Sequence, residues 1–343
     1  MIMIPNFRFK IPDNISPFAS IVRLPYSLLL SAICNLKSGI EGSLVARTLC
    51  LASILFSLCL VVPNGMPGTA PQLSIAFRPM YFYDSPKAAR VMIVARIGME
   101  NLGFKNKGAQ IGTDLNVTGV AYAEDGSIAA RFIETVPVSL GREQEAEFRK
   151  GNLSYRNHFR LRPGKYRLTL EVTDESSNRG STERSLEVPA ITEKELSGSS
   201  IVIAEQISRL PDMIQNLQTQ MLNESDPLIY AGMQIEPSVG NRLPANSIIP
   251  ILFRIYNLPI QASQRDLTAK ARLVGENRTE FALDPIPLQK DAAPPNKTEA
   301  VIALRLLFKD VPPAKYRLII ETADAASAQK VELQTDLELV PNP

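Results

Sequence analysis

From Lys165 onward, Tyr166, Leu168, Leu170 and Val172 alternate with Lys165, Arg167, Thr169 and Glu171. A period of two places all four apolar side chains on one face, which predicts a half-buried β-strand. The same pattern returns 150 residues later, where Tyr316, Leu318 and Ile320 alternate with Lys315, Arg317, Ile319 and Glu321. The apolar Ile319 on the outer side of this second strand predicts that its outer face is partly covered. Pro163-Gly164 precedes the first tyrosine and Pro312-Pro313 the second. Proline presets φ and glycine admits positive φ, so a turn is expected just before each strand. The run Arg162-Pro-Gly-Lys-Tyr166 and its counterpart Pro312-Pro-Ala-Lys-Tyr316 thus mark an internal duplication. Its period is too long for a solenoid and suits two copies of one domain.

The rest of the chain divides around these elements. In a first module, about residues 73–189, Val91, Ile93, Ala95 and Ile97 predict one strand, and Val117, Val120 and Tyr122 a second ending at the hairpin signal Asp125-Gly126. Ile128, Ala130, Phe132, Val136 and Val138 mark the returning strand. A polar stretch from Gly141 to Asn157 comes after it, Phe159 and Leu161 lead into the tyrosine strand, and Leu186 and Val188 close the module. A connector occupies 190–227. In it Ile207, Leu210, Ile214, Leu217 and Met221 are spaced for a short amphipathic helix, and residues 200–203 for an edge strand of the second module. That second module, 228–341, carries strand patterns at Ile249 to Ile255, Ala269 to Leu273, Ile302 to Leu306, Tyr316 to Ile320 and Val331 to Leu339, with a loop at 291–297.

Short strands between turns, without helical runs, predict an all-β chain: two tandem antiparallel β-sandwiches of immunoglobulin or fibronectin-III type. A tyrosine opening a late strand directly after a turn matches the tyrosine corner of such sandwiches, where the hydroxyl bonds nearby backbone. That reading is preferred to a plain core tyrosine because the placement occurs twice. Each module is expected to have its own core.

Ahead of the modules, Leu49 to Val62 is an uncharged apolar run of 14 residues that extends from Thr48 to about Met66. Its length lies between a signal-peptide core and a span of about 20 residues, so 49–66 is expected to be a hydrophobic helix acting as signal peptide or transmembrane anchor. Residues 1–48 form a leader. Its Arg8, Lys10, Arg23, Lys37 and Arg47 against Asp13 and Glu41 favour a cytoplasmic side, which exports the rest of the chain.

Composition narrows the chemistry. With 37 basic and 35 acidic residues among 343, no net field recruits nucleic acid. Cys34, Cys50 and Cys59 all precede residue 60, so the modules hold no thiol, and His158 is the sole histidine. A nucleophilic triad through His158 would need Ser154 and Glu147 brought to it, and otherwise His158 reads as an exposed strand-edge residue. Zinc ligands are too few. No catalytic, metal or cofactor residue is therefore expected, and the singled-out residues are structural: Tyr166, Tyr316, Pro163, Gly164, Pro312 and Pro313. The asparagines of Asn116-Val-Thr, Asn152-Leu-Ser, Asn223-Glu-Ser, Asn277-Arg-Thr and Asn296-Lys-Thr mark polar surface.

The run Phe159-Arg-Leu-Arg-Pro-Gly-Lys-Tyr166 continuing to Asp174, then Arg179-Gly-Ser181, Leu186-Glu-Val-Pro189 and Leu196 to Ala204, resembles the C-terminal region of acidobacterial von Willebrand factor A-related proteins. Val120-Ala-Tyr-Ala-Glu-Asp-Gly126 and the Tyr316 element share in the likeness, which covers about residues 73–340. The resemblance implies an exported protein. Family members often carry an A domain with an Asp-x-Ser-x-Ser metal site, and this chain has no such domain before Leu73. Asp174-Glu-Ser-Ser177 has the wrong spacing. The expectation is a non-enzymatic, envelope-anchored or secreted binding protein, periplasmic or extracellular, whose partner is a protein or polysaccharide. The competing expectation is a carbohydrate-active or peptidase accessory enzyme using a carboxylate pair such as Asp174 and Glu175.

Overall fold

The computed structural model describes residues 72–108, 110–209, 226–260, 266–288 and 298–342. The expected leader, the 49–66 helix, most of the 207–221 helix and the 291–297 loop lie outside the described residues.

The first sandwich is built from β1 (Ile75–Ser85), β2 (Ala88–Gly98), β3 (Lys105–Lys107), β4 (Gln110–Ala123), β5 (Ile128–Gly141), β6 (Asn152–Leu161), β7 (Gly164–Thr173) and β8 (Arg179–Val188). One sheet has the order β1-β2-β6 and the other runs β5-β4-β7-β8, with β3 paired to the start of β4. All of these pairs are antiparallel. Val91, Ile93, Ala95 and Ile97 of β2 face Leu168, Leu170 and Val172 of β7 across one buried cluster. In β4 the inward set is Leu115, Val117 and Ala121, so Val120 and Tyr122 point outward, the opposite phase to Val117. The expected polar stretch also differs. A 3-10 turn at Arg142–Gln144 and the single helical turn α1 (Glu145–Phe148) come first, and then β6 buries Tyr155 and Phe159 beneath a polar outer face.

The second sandwich repeats this plan with β9 (Ser197–Gly198), β10 (Val202–Arg209), β11 (Ile229–Tyr230), β12 (Met233–Pro237), β13 (Arg242–Pro244), β14 (Ile248–Tyr256), β15 (Leu267–Gly275), β16 (Glu280–Ala282), β17 (Ile286–Pro287), β18 (Glu299–Leu307), β19 (Lys315–Asp324) and β20 (Gln329–Val340). One sheet runs β11-β12-β10-β14-β18 and the other β13-β20-β19-β15-β16. β7 and β19 hold the same place, each between its module's third long strand and its last (β4 and β8, β15 and β20). Within the stretch assigned to a connector, the strand expected at 200–203 is present as the start of β10, inside the sheet between β12 and β14 rather than at its edge. Val202 and Ile203 pair with Leu252 and Ile251 of β14, and Ile207 sits in β10 opposite Ile235 of β12 rather than on a helix.

A third buried cluster corrects the expectation of separate cores. Met80, Phe82, Met92 and Val94, on the outer face of β1 and β2, pack with Val202, Ala204, Leu228, Ile235 and Leu252 of the second module. Tyr256 of β14 is buried in the first module's core. Polar contacts reinforce this junction. The Tyr81 N–H donates to Ser200 Oγ at 2.9 Å, the Ser200 N–H to the Tyr81 carbonyl oxygen at 3.0 Å, and the Tyr83 N–H to Tyr256 Oη at 3.1 Å. The Tyr83 and Tyr256 rings meet edge to face at 5.5 Å, a geometry in which a positive ring edge meets a negative face. Residues Thr69–Pro343 accordingly form one compact unit.

Candidate functional site

Each tyrosine strand starts with the same hydrogen bond. Tyr166 Oη donates to the Arg162 carbonyl oxygen and Tyr316 Oη to the Pro312 carbonyl oxygen, both at 2.8 Å and both four residues back. The bond ties the strand's first inward ring to the turn before it, which is the geometry of a tyrosine corner. Gly164 has φ of 156°, whereas Ala314, at the matching position, is not among the residues with positive φ, so the corner forms with or without glycine there. The two rings sit at different depths. Tyr316 is 6% exposed and packs edge to face on Phe281 at 6.0 Å, while Tyr166 is half-buried.

A concave surface lies beside each corner. In the first module a cavity of about 560 Å³ is lined by Glu124, Gly126, Lys165, Tyr166, Arg167 and Glu187 among others. In the second, cavities of about 560 and 620 Å³ share Gly275, Glu276, Lys315 and Tyr316. Register makes them equivalent, since Ala123 stands opposite Tyr166 and Gly275 opposite Tyr316. Lys165 faces Glu187 across the ladder and Lys315 faces Glu338. The Arg167 guanidinium lies 4.3 Å over the Tyr122 ring and pairs with Glu183 at 2.8 Å. In the second copy Val274 replaces the aromatic partner and Arg317 pairs with Asp336 at 3.3 Å.

The larger cavity of the second module has a lining residue that the first lacks. Arg78 projects from β1 of the first module and lines it together with Ile319, Asp336 and Glu338. Ile319 is covered, as its apolar side chain on the outer face implies. The Arg78 Nη1 is buried with no hydrogen-bond partner. Burial pulls the guanidinium down to about 10, opposed by the Asp336 carboxylate and reinforced by Arg184, and it stays cationic at neutral pH. Sequence reasoning missed Arg78 together with its strand. The available signal was a lone charge in the otherwise apolar run from Ile75 to Tyr83.

The acids and the histidine considered from sequence are engaged elsewhere. Asp174 accepts from the N–H groups of Gly103, Ser176 and Asn178 at 2.7 to 2.9 Å and folds the β7–β8 turn. Its neighbour Glu175 pairs with Lys107 at 2.9 Å and Lys105 at 3.2 Å, and those two lysines hold its carboxyl down at about 2. His158 is exposed on edge strand β6. Burial, Arg90 and Arg160 lower its pKa, so the ring is neutral at pH 7. Ser154 Oγ donates to Glu236 and Glu147 pairs with Lys150, so the three are not assembled into a triad.

No family model and no curated protein sequence matches the chain. Among solved structures it is similar to a biofilm-associated protein BSP domain at 10% identity, covering 84% of this chain and 55% of that one with a TM-score of 0.20. It is also similar to Salmonella α-2-macroglobulin reacted with methylamine at 8% identity, covering 79% of this chain and 25% of that one with a TM-score of 0.27. The chain therefore spans between a quarter and about half the length of these two structures.

Proposed function

We propose that this chain is a non-enzymatic scaffold and binding protein of the cell envelope that presents two β-sandwiches to a protein or polysaccharide. The observation that carries the reading is the third core. Burying Met80, Phe82, Val94, Val202 and Leu252 between the modules fixes two equivalent tyrosine-corner surfaces on a single body. Surfaces held in a set relation lose little freedom on binding, and a ligand with repeated units can engage both at once. Export rests on the apolar 49–66 segment, as anchor or cleaved signal, and on the likeness to von Willebrand factor A-related proteins.

The test is co-sedimentation of the full chain with purified envelope polysaccharide and, separately, cross-linking to envelope proteins in intact cells. Saturable association that weakens when Lys165, Arg167, Lys315 and Arg317 are changed to Glu supports the reading. Association with neither fraction, in a folded chain, overturns it.

A further inference from the structure

We propose that the cavity at Arg78 binds an acidic saccharide, with the carboxylate of a uronic-acid unit seated between Arg78 and Lys315. The proposal rests on the polysaccharide branch of the proposed function. Among the described residues, the Arg78 and Lys315 side chains make no hydrogen bond and no close ion pair, although both line the same cavity of about 620 Å³. Two of the three acids in the cavity are already engaged. Asp336 is paired with Arg317 at 3.3 Å and Glu338 with Arg242 at 3.1 Å. A buried guanidinium nitrogen left unpaired is costly, and a planar carboxylate is the group whose two oxygens match its fork. Arg156 also buries an unpartnered Nη1 but lines none of the three corner cavities.

The cavity's size lies within the range of small-ligand sites, and its lining favours a sugar over an extended peptide. Peptides that lie along sheets bind by adding a strand to a free edge. The second-module strands lining this cavity have none to offer: β15 is flanked by β19 and β16, β19 by β15 and β20, and β20 by β19 and β13. The outer edge of β1, which brings Arg78, is interrupted by Pro79, which has no N–H to donate, and is bonded at Tyr81 to Ser200. What the lining presents is a mixture of cationic donors and carboxylate acceptors, including Glu276, which has no partner among the described residues. Ring hydroxyls donate and accept, so they can satisfy both kinds. The first module's cavity has no counterpart of Arg78, so one strong site per chain is expected.

Calorimetric titration of the full chain with oligogalacturonate tests this, using the methyl-esterified oligomer of equal length and poly-glutamate as comparators. The acidic oligomer is expected to bind once per chain and about tenfold or more tighter than the ester, as charge-assisted bonds imply. Arg78→Met, which keeps the apolar stem, should weaken it by a similar factor, and Arg156→Met should not. If Arg78→Met fails to fold, Arg78→Lys and Lys315→Gln decide, each expected to weaken binding several-fold. Undiminished binding by the folded Arg78 or Lys315 variants overturns the site, and poly-glutamate binding as tightly as oligogalacturonate overturns the saccharide class. A chain that ignores oligogalacturonate yet sediments with envelope polysaccharide overturns the site and leaves the scaffold reading standing.

Discussion

Tyr316 and Tyr166 make one hydrogen bond at two depths, and their substitutions should differ accordingly. Tyr316→Phe keeps the ring and loses the bond to the Pro312 carbonyl, a cost of about 1 kcal/mol. Tyr316→Ala empties a buried site packed on Phe281 and should cost about 3 to 5 kcal/mol. Tyr166→Ala removes a half-buried ring, and about 1 to 3 kcal/mol is expected. Denaturant melts that rank Tyr166→Ala at or above Tyr316→Ala would contradict this depth ordering. The tyrosines were legible from sequence because strand period and turn residues place them locally. Their unequal burial was not, since Phe281 reaches Tyr316 from another strand. Glu175 offers a second test. Its carboxyl titrates near 2, below the ordinary 4.5, because Lys107 and Lys105 bond its charged form. The stabilisation it adds is complete above about pH 4.5 and fades as pH falls toward 2. A carbon-detected NMR titration should give Glu175 a midpoint near 2, and Lys107→Met should raise it. A midpoint at the ordinary value would show the lysine clamp to be absent in solution.

At the scale of elements, β1 explains what sequence patterning could and could not reveal. Strands with one wet face alternate, so β7 was readable from spacing alone, and β2 and β19 were readable from their inward sets although Met92, Val94 and Ile319 are buried on their outer faces. β1 buries Phe77 and Tyr83 on one side and Met80 and Phe82 on the other, so its apolar residues run together and the alternation disappears. β6 hid for the converse reason: its outer face is so polar that Tyr155 and Phe159 look isolated. The covering of β1 also predicts cooperative unfolding of the pair of modules. Phe82→Ala should cost about 3 to 5 kcal/mol, as large aromatic truncations do, although it touches neither sandwich interior. Calorimetry should show one transition for the native chain, and Phe82→Ala should split it or lower it as a whole. Two transitions in the native chain, with Phe82→Ala shifting only the first module's, would mean that the modules melt independently. His158, exposed on the outer face of β6 and neutral at pH 7, should tolerate replacement by Ala within about 0.5 kcal/mol.

For the whole molecule, the duplication was visible in sequence because it repeats a local motif, whereas the junction between copies depends on residues far apart in the chain. Met80 and Leu252 share the third core although 172 positions separate them. That distance bears on how the protein is made. At ~5–20 residues per second, roughly 8 to 30 s pass between synthesis of Val94 and of Leu252. During that interval the first sandwich can close its own core, but Met80, Phe82, Met92 and Val94 face solvent as an adhesive apolar stripe. A nascent chain in this state is prone to self-association, and the hazard ends only when β10 and β14 arrive to cover the stripe. A fragment ending at residue 189 should consequently bind hydrophobic dyes and form oligomers in sizing chromatography, and Met80→Lys with Phe82→Lys should restore a monomer.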